Sequence, residues 1–427
     1  MPEPSRIQAH KRTLIALGAL AAVAAGVTLA VLLSSGHEST PPPSPPVPSV
    51  SVPSHNPTSS PPWGFTGGGW SDYCYRPSEA SPGYTQGYVP DAQPCGEGAT
   101  RVTGLTQIAE AARAGADVDR LLAAWATVEP RAPGQPAPQN GARFNWEPLT
   151  SRYRAMLRDG AAPVMLAWGS PAWARVPGWD RPAGCSAPGG GNCTFPPGPA
   201  HIPQWRAFLR GLMVHFPDMR ALEIWNEPNL ARSFAPRPSP ALYARMLQAA
   251  DQAAREVGFD RPIITGGLSP SPPSAGKMPP ARFLSRVYEL AGGAAFDGIG
   301  THPYPAGPPW VANMNANLDQ LRAVSERFHD APKPLWITEV GIGGAPGGVG
   351  QFNVPLAQQG PILVRMYRSI QRSEVRAFII YSLYDSIAGG ERFGPYGVVG
   401  PNLEPKPAYC YLAQHIGRTH ACPAAGS

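Results

Sequence analysis

The stretch Leu222-Glu223-Ile224-Trp225-Asn226-Glu227-Pro228-Asn229 decides the fold. Apolar Leu222, Ile224 and Trp225 read as a short buried strand that runs into Asn226 and Glu227, and Pro228 then removes a backbone donor and ends any ladder. A carboxylate therefore stands at the C-terminal end of a strand. In parallel sheets wrapped by helices, that end is where ligands bind and chemistry happens. A Glu in this place could also cap the next segment or neutralise an Arg, so its meaning depends on the rest of the chain.

Outward from this stretch, apolar runs alternate with helical patterns. Upstream, strands are expected at Trp63 to Thr66, Val118 to Leu122 and Pro163 to Trp168, with helices over Thr106 to Gly115, Trp146 to Asp159 and Pro203 to His215. Downstream, strands are expected at Pro262 to Thr265, Phe296 to Thr301, Leu335 to Glu339 and Val375 to Tyr381. The helices between and after them cover Pro240 to Val257, Ala281 to Leu290, Ala312 to Phe328, Leu356 to Gln371 and Ala408 to Ile416. Eight strand and helix repeats suit a closed (β/α)8 TIM barrel in the α/β class. An open doubly wound sheet is the alternative, but no G-x-G-x-x-G turn opens a helix after a strand.

Trp336-Ile337-Thr338-Glu339-Val340-Gly341 repeats the logic of the first stretch: an apolar strand, a carboxylate at its end, then a Gly turn. Glu227 and Glu339 are 112 residues apart, three repeats of ~37, which places them on strands four and seven above one barrel mouth. Paired carboxylates facing each other there are the equipment for cleaving a glycosidic bond. One must be protonated to release the leaving sugar, and the other ionised to attack or to activate water.

The motifs WNEPN and ITEVG at this spacing resemble the clan A retaining glycoside hydrolases, most closely family 39 and the cellulase-like family 5. The segment GLTQIAEAARAGADVDRLLAAWATVEP, with FNWEPL and LAWGSPAWA after it, is similar to their first three repeats. The resemblance runs from about residue 63 to 416. It implies double displacement, with Glu227 as general acid/base, protonated at rest, and Glu339 as nucleophile, their carboxylates about 5 Å apart. It further implies that Asn226 binds the sugar 2-hydroxyl, that Tyr304 of His302-Pro303-Tyr304 hydrogen-bonds the nucleophile, and that Arg120 keeps it ionised. Each has a plainer reading: Arg120 could neutralise Asp119, and His302 could be a packed strand-end residue. The chain departs from the family 5 pattern at Trp168-Gly169, where a His is usual. It departs from many relatives at Tyr381-Ser382-Leu383-Tyr384-Asp385, where a Trp floors the site. Trp168, Trp173, Trp179, Tyr381 and Tyr384 are candidate sugar-stacking surfaces, although any of them could equally belong to the core.

Among 427 residues, 55 Pro and 47 Gly imply long irregular loops around a core. The charge of +6 is scattered, with no Lys/Arg stripe of the kind nucleic acid requires. Six cysteines fall into the close pairs Cys74 and Cys95, Cys185 and Cys193, Cys410 and Cys422. Neighbour pairing is the simplest of the fifteen connectivities, and disulfides place the domain in an oxidising compartment.

Thr13 to Leu33 is an uncharged run of 21 residues, long enough to cross ~30 Å of hydrocarbon. Arg6, Lys11 and Arg12 precede it and no Lys or Arg follows until Arg76, so the positive-inside rule puts everything after it outside. Residues 1–12 are then a cytoplasmic tail, 13–33 a transmembrane anchor, 34–62 a Pro/Ser-rich spacer and 63–427 the glycosidase domain. Secretion after signal cleavage is the alternative.

The reading is a membrane-anchored, monomeric retaining glycosidase acting on β-linked bonds of a cell-surface or extracellular polysaccharide, with carbohydrate as its partner and no cofactor, metal or nucleic acid. The competing classes are a non-catalytic carbohydrate-binding barrel and a transglycosylase remodelling wall polysaccharide.

Overall fold

The computed structural model describes residues 60–67, 72–75, 95, 99–135, 143–176, 194–274, 276–348, 352–370, 374–385, 395–417 and 422, all within one unit spanning 46–427. The anchor at 13–33, nearly all of the spacer, and the pair Cys185 and Cys193 lie outside the described residues. Among the described residues no helix is long and apolar enough to cross a membrane.

Eight parallel strands form the centre: β1 (Trp63–Thr66), β2 (Val118–Ala124), β3 (Ala162–Trp168), β4 (Ala221–Ile224), β5 (Ile263–Thr265), β6 (Ile299–Thr301), β7 (Leu335–Val340) and β8 (Val375–Tyr381). Their order around the sheet is β5-β4-β3-β2-β1-β8-β7-β6. The two ends meet through bridges Ile264 to Gly298 and Leu268 to Thr301, so the sheet closes on itself. The outer ring is α1 (Gly104–Arg113), α2 (Glu147–Arg158), α3 (Ile202–His215), α4 (Pro240–Val257), α5 (Pro280–Ala291), α6 (Trp310–Arg327), α7 (Leu356–Ser369) and α8 (Pro407–His415). This is the (β/α)8 barrel expected from the repeat count. Expected boundaries moved by a few residues where local chemistry decides: α1 starts earlier because the Thr103 hydroxyl accepts the Thr106 N–H at 3.1 Å.

The first strand is the shortest fit to its neighbour. Only Thr66 pairs in register with β2, at Arg120. The Trp63 and Phe65 N–H groups instead donate to the carboxylates of Asp117 and Asp119, at 2.8 and 2.9 Å. Gly64 lies so close to β2 that a Cβ would stand 1.6 Å from the Val118 carbonyl oxygen, so only glycine fits. The Asp119 carboxyl is pushed well above its ordinary pKa, chiefly by burial, and is not an ion-pair partner of Arg120.

Two cores follow from the pleat. Inside the barrel, Val118, Val164, Ala221, Ile264, Trp336, Ala377 and Ile379 form an apolar plug. Outside, the strands pack on the helices through a larger cluster that includes Trp125, Trp205, Phe208 and Trp225, all fully buried. Helix α4 shows how the ring is specified: Ser239 caps it, Gly258 ends it in the left-handed region at φ 65°, and Tyr243, Met246, Leu247, Ala250 and Ala254 repeat on its buried face. The Tyr243 hydroxyl donates to the Ile224 carbonyl and accepts from the Gly266 N–H, both at 2.7 Å, tying α4 to the ends of β4 and β5. Disulfides Cys74–Cys95 and Cys410–Cys422 close local loops, as neighbour pairing predicts.

Candidate active site

Successive inward residues of a strand are two apart, so the layer directly above the plug is already determined by it. Val118 leads to Arg120, Ala221 to Glu223, and Trp336 to Thr338. These three replace apolar packing with a bonded polar layer. Arg120 donates to Glu223 through Nε at 2.7 Å and Nη2 at 3.0 Å, to Asn226 Oδ1 at 2.8 Å through Nη2, and to Glu339 Oε1 through Nη1. Glu223 Oε1 also accepts the Thr338 hydroxyl and the Gly267 N–H, each at 2.8 Å. Burial works against the Arg120 charge, but Glu223 and then Glu339 outweigh it and raise its pKa. A buried cation is tolerable only with such partners.

Glu223 escaped the sequence reading. Its signal was a charged residue between Leu222 and Ile224 in a strand taken as buried, a position that requires a partner.

Beyond Ile224 the chain leaves β4 through two left-handed residues that are not glycine, Trp225 at φ 73° and Glu227 at φ 43°. Such a conformation costs on the order of 1–3 kcal/mol per residue and persists where surroundings enforce it. They do so here. The Trp225 N–H donates to the Ala167 carbonyl at 2.9 Å and its indole to the Ser233 carbonyl at 2.6 Å, while the Leu230 N–H returns to the Glu227 carbonyl at 3.0 Å. Fully buried Asn229 clamps the turn to the next loop, donating to the Ser269 and Met278 carbonyls at 2.8 and 2.9 Å and accepting the Ser269 N–H at 3.1 Å. The result turns the Glu227 carboxylate back over the barrel.

Glu227 Oε2 accepts from Arg232 Nη2 at 2.6 Å and from the Ser233 hydroxyl at 3.4 Å. Its Oε1 faces His302 Nδ1 at 3.3 Å. Burial alone would raise the Glu227 pKa, but the His302 hydrogen bond and the Arg232 charge prevail and pull it down to about 2. Against the expectation of a Glu227 protonated at rest, its surroundings favour the carboxylate form, the His302 hydrogen bond first and the Arg232 cation second. Arg232, in the loop after β4, carries no periodic signal and was not singled out from the sequence.

Glu339, on β7, accepts from Arg120 and from the Tyr304 hydroxyl, the latter at 3.2 Å to Oε2. Burial, then Glu339, pushes the Tyr304 pKa well up, so the phenol stays a donor. His302 Nδ1 is 3.6 Å from Glu339 Oε2 as well as 3.3 Å from Glu227 Oε1. One nitrogen near both oxygens caps their separation at about 7 Å. Both neighbours are carboxylates, so hydrogen-bond logic assigns the proton to Nδ1. Nε2 meets Gly267, where a Cβ would stand only 2.0 Å away, so His302 keeps its place because residue 267 is glycine.

Arg120, Asn226, Glu227, His302, Tyr304 and Glu339 thus come together in one bonded group. Trp168 ends β3 with its indole N–H buried and without a partner among the described residues. Tyr384 turns away to bond the Gly67 carbonyl at 2.9 Å and rests on Tyr73 at a ring distance of 5.0 Å. Trp173 donates to the Glu129 carbonyl at 3.1 Å, and Trp179 lies outside the described residues. Tyr381 and Tyr396 stand 6.5 and 6.1 Å from the Tyr304 ring, giving an aromatic wall beside Glu339. Among the described residues no group of three or more His, Cys, Asp or Glu side chains could hold a metal ion.

The (β/α)8 barrel that carries this pair of strand-end glutamates has counterparts among solved structures. The chain resembles a family 39 glycoside hydrolase from Xanthomonas axonopodis pv. citri with a TM-score of 0.54 at 14% identity, over 72% of this chain and 62% of that one. It resembles a monomeric β-xylosidase from Caulobacter crescentus CB15 with a TM-score of 0.52 at 17% identity, over 73% of this chain and 64% of that one. A glucosidase from Croceicoccus marinus gives 0.55 at 12% identity, over 72% and 62%. The chain therefore spans less than two thirds of the length of these structures, and what it shares with the family 39 barrel is the fold. No family model and no curated protein sequence matches it.

Proposed function

We propose that this chain is a retaining glycoside hydrolase that cleaves β-linked bonds of an extracellular or cell-surface polysaccharide by double displacement. The observation that carries the reading is His302 Nδ1 within 3.6 Å of both carboxylates, which brings Glu227 and Glu339 close enough for attack and protonation on one sugar ring. Glu339 is the nucleophile. Arg120 on Oε1 and Tyr304 on Oε2 aim it, and Oε2 attacks the anomeric carbon as the glycosidic bond breaks. Glu227 supplies a proton to the departing oxygen, then withdraws one from the water that releases the glycosyl-enzyme. Asn226, fixed through Oδ1 by Arg120, offers its amide N–H groups to the sugar 2-hydroxyl. The segment 13–33 anchors the domain outside the cell, with release after cleavage as the alternative.

The test is hydrolysis of an aryl β-glycoside followed by NMR of the first-formed anomer. Retention is expected, with Glu227→Gln and Glu339→Gln both losing at least about 100-fold in kcat/KM. An inverted first product, or a Glu227→Gln variant as active as the parent, overturns the reading.

A further inference from the structure

A general acid whose carboxylate bears a cation, as Glu227 bears Arg232, is easier to protonate once that cation is drawn off. Arg232 uses only Nη2 on Glu227, and its side chain is 46% exposed. Its charged form is favoured mainly by Glu227, against partial burial, with the more distant Glu339 and Tyr304 adding to it, while its ion pair is with Glu227. Its backbone is fixed: the Arg232 carbonyl accepts from Thr194 at 2.8 Å, the Ala231 N–H donates to the Gly276 carbonyl at 2.7 Å, and the next carbonyl, of Ser233, holds the Trp225 indole. A rigid loop thus delivers a half-exposed guanidinium to the acid, on the cleft's open side.

We propose that Arg232 recognises a negatively charged substituent, the carboxylate of a uronic acid, on the sugar at the leaving-group side of the cleft. This rests on Glu227 being the acid/base, because the group beside the acid is then the departing sugar. A guanidinium presents a planar fork that matches a carboxylate with two parallel N–H bonds, and a neutral hydroxyl offers no such exchange. As the incoming carboxylate takes Arg232, Glu227 loses one of the two groups that favour its ionised form, keeps the His302 contact, and more readily takes one proton from solvent. Cleavage passes that proton to the departing sugar's oxygen. A neutral sugar leaves Arg232 on Glu227, and a smaller share of the acid carries its proton.

The test titrates methyl β-D-glucuronoside and methyl β-D-glucoside into the purified full-length chain by calorimetry, alongside Arg232→Gln and Arg232→Lys. The uronide is expected to bind at least roughly tenfold tighter to the parent, with that advantage lost in Arg232→Gln and partly restored in Arg232→Lys. Equal affinities, no binding of the uronide, or an advantage that survives in Arg232→Gln overturns the proposal. Turnover of paired aryl β-glycosides, differing only in a carboxylate on the aglycone, separates the two readings. Uronide preference without any Glu227-dependent turnover sinks the hydrolase and keeps the anion site. Turnover with no anionic preference does the reverse.

Discussion

Arg120 meets Glu223 with two nitrogens, at 2.7 and 3.0 Å, so the guanidinium that reaches Glu339 is already largely neutralised from below. Removing that lower partner transfers the whole positive charge to Glu339. Glu223→Gln is expected to change how Arg120 orients Glu339, lowering kcat with little change in KM. It should also cost about 3–5 kcal/mol of stability, since one member of a buried pair is removed. Denaturant unfolding and steady-state kinetics on the same preparation check both.

Glu227 gives a second pH signature. Its folded pKa lies below its ordinary value, so the stability it contributes is fully present above about 4.5 and is lost as pH falls toward about 2. Arg232→Gln removes the cation and should raise that pKa, shrinking the loss. In kinetics with a neutral aryl glycoside, the basic limb should move to higher pH. Identical acid-unfolding curves and identical limbs for parent and variant would show that Arg232 does not set the state of Glu227.

Gly267→Ala places a methyl group where His302 Nε2 now lies. Overpacking at a well-packed position costs about 1–3 kcal/mol, and displacing the ring by ~1 Å should cost roughly 100-fold in kcat/KM. A crystal structure showing His302 unmoved with activity retained contradicts this.

Tyr243→Phe leaves the Ile224 carbonyl and the Gly266 N–H without their shared partner. Two buried polar groups left unpaired should cost about 1–3 kcal/mol each, read from the midpoint of urea unfolding. Because Ile224 immediately precedes the left-handed Trp225, some loss of kcat should accompany it.

The repeat pattern carried the barrel, since eight apolar runs alternating with helical faces leave few other closed arrangements. The strand ends carried the two glutamates, with Asn226, His302 and Tyr304 placed by motif. The sequence was mute where backbone shape does the work. Nothing in Trp225 or Glu227 announces φ values of 73° and 43°, because these residue types avoid that region elsewhere. Without that turn the direction of the Glu227 carboxylate, and hence its meeting with Arg232 five residues on, cannot be read. Arg120 pairing with Glu223 instead of Asp119 was open in principle: Asp119 lies one residue out of phase with the inward face, whereas Glu223 is in phase with Ala221 of the plug.

The apolar plug has a consequence for proton traffic. With Trp336, Ile264, Ile379 and their neighbours filling the barrel below Arg120 and Glu223, the lower side of the polar layer is dry. Water, sugar and protons share the mouth as their common entrance. A polysaccharide seated there is a stopper as well as a substrate: the proton that Glu227 takes has to enter while the sugar is still settling, before the mouth is shut.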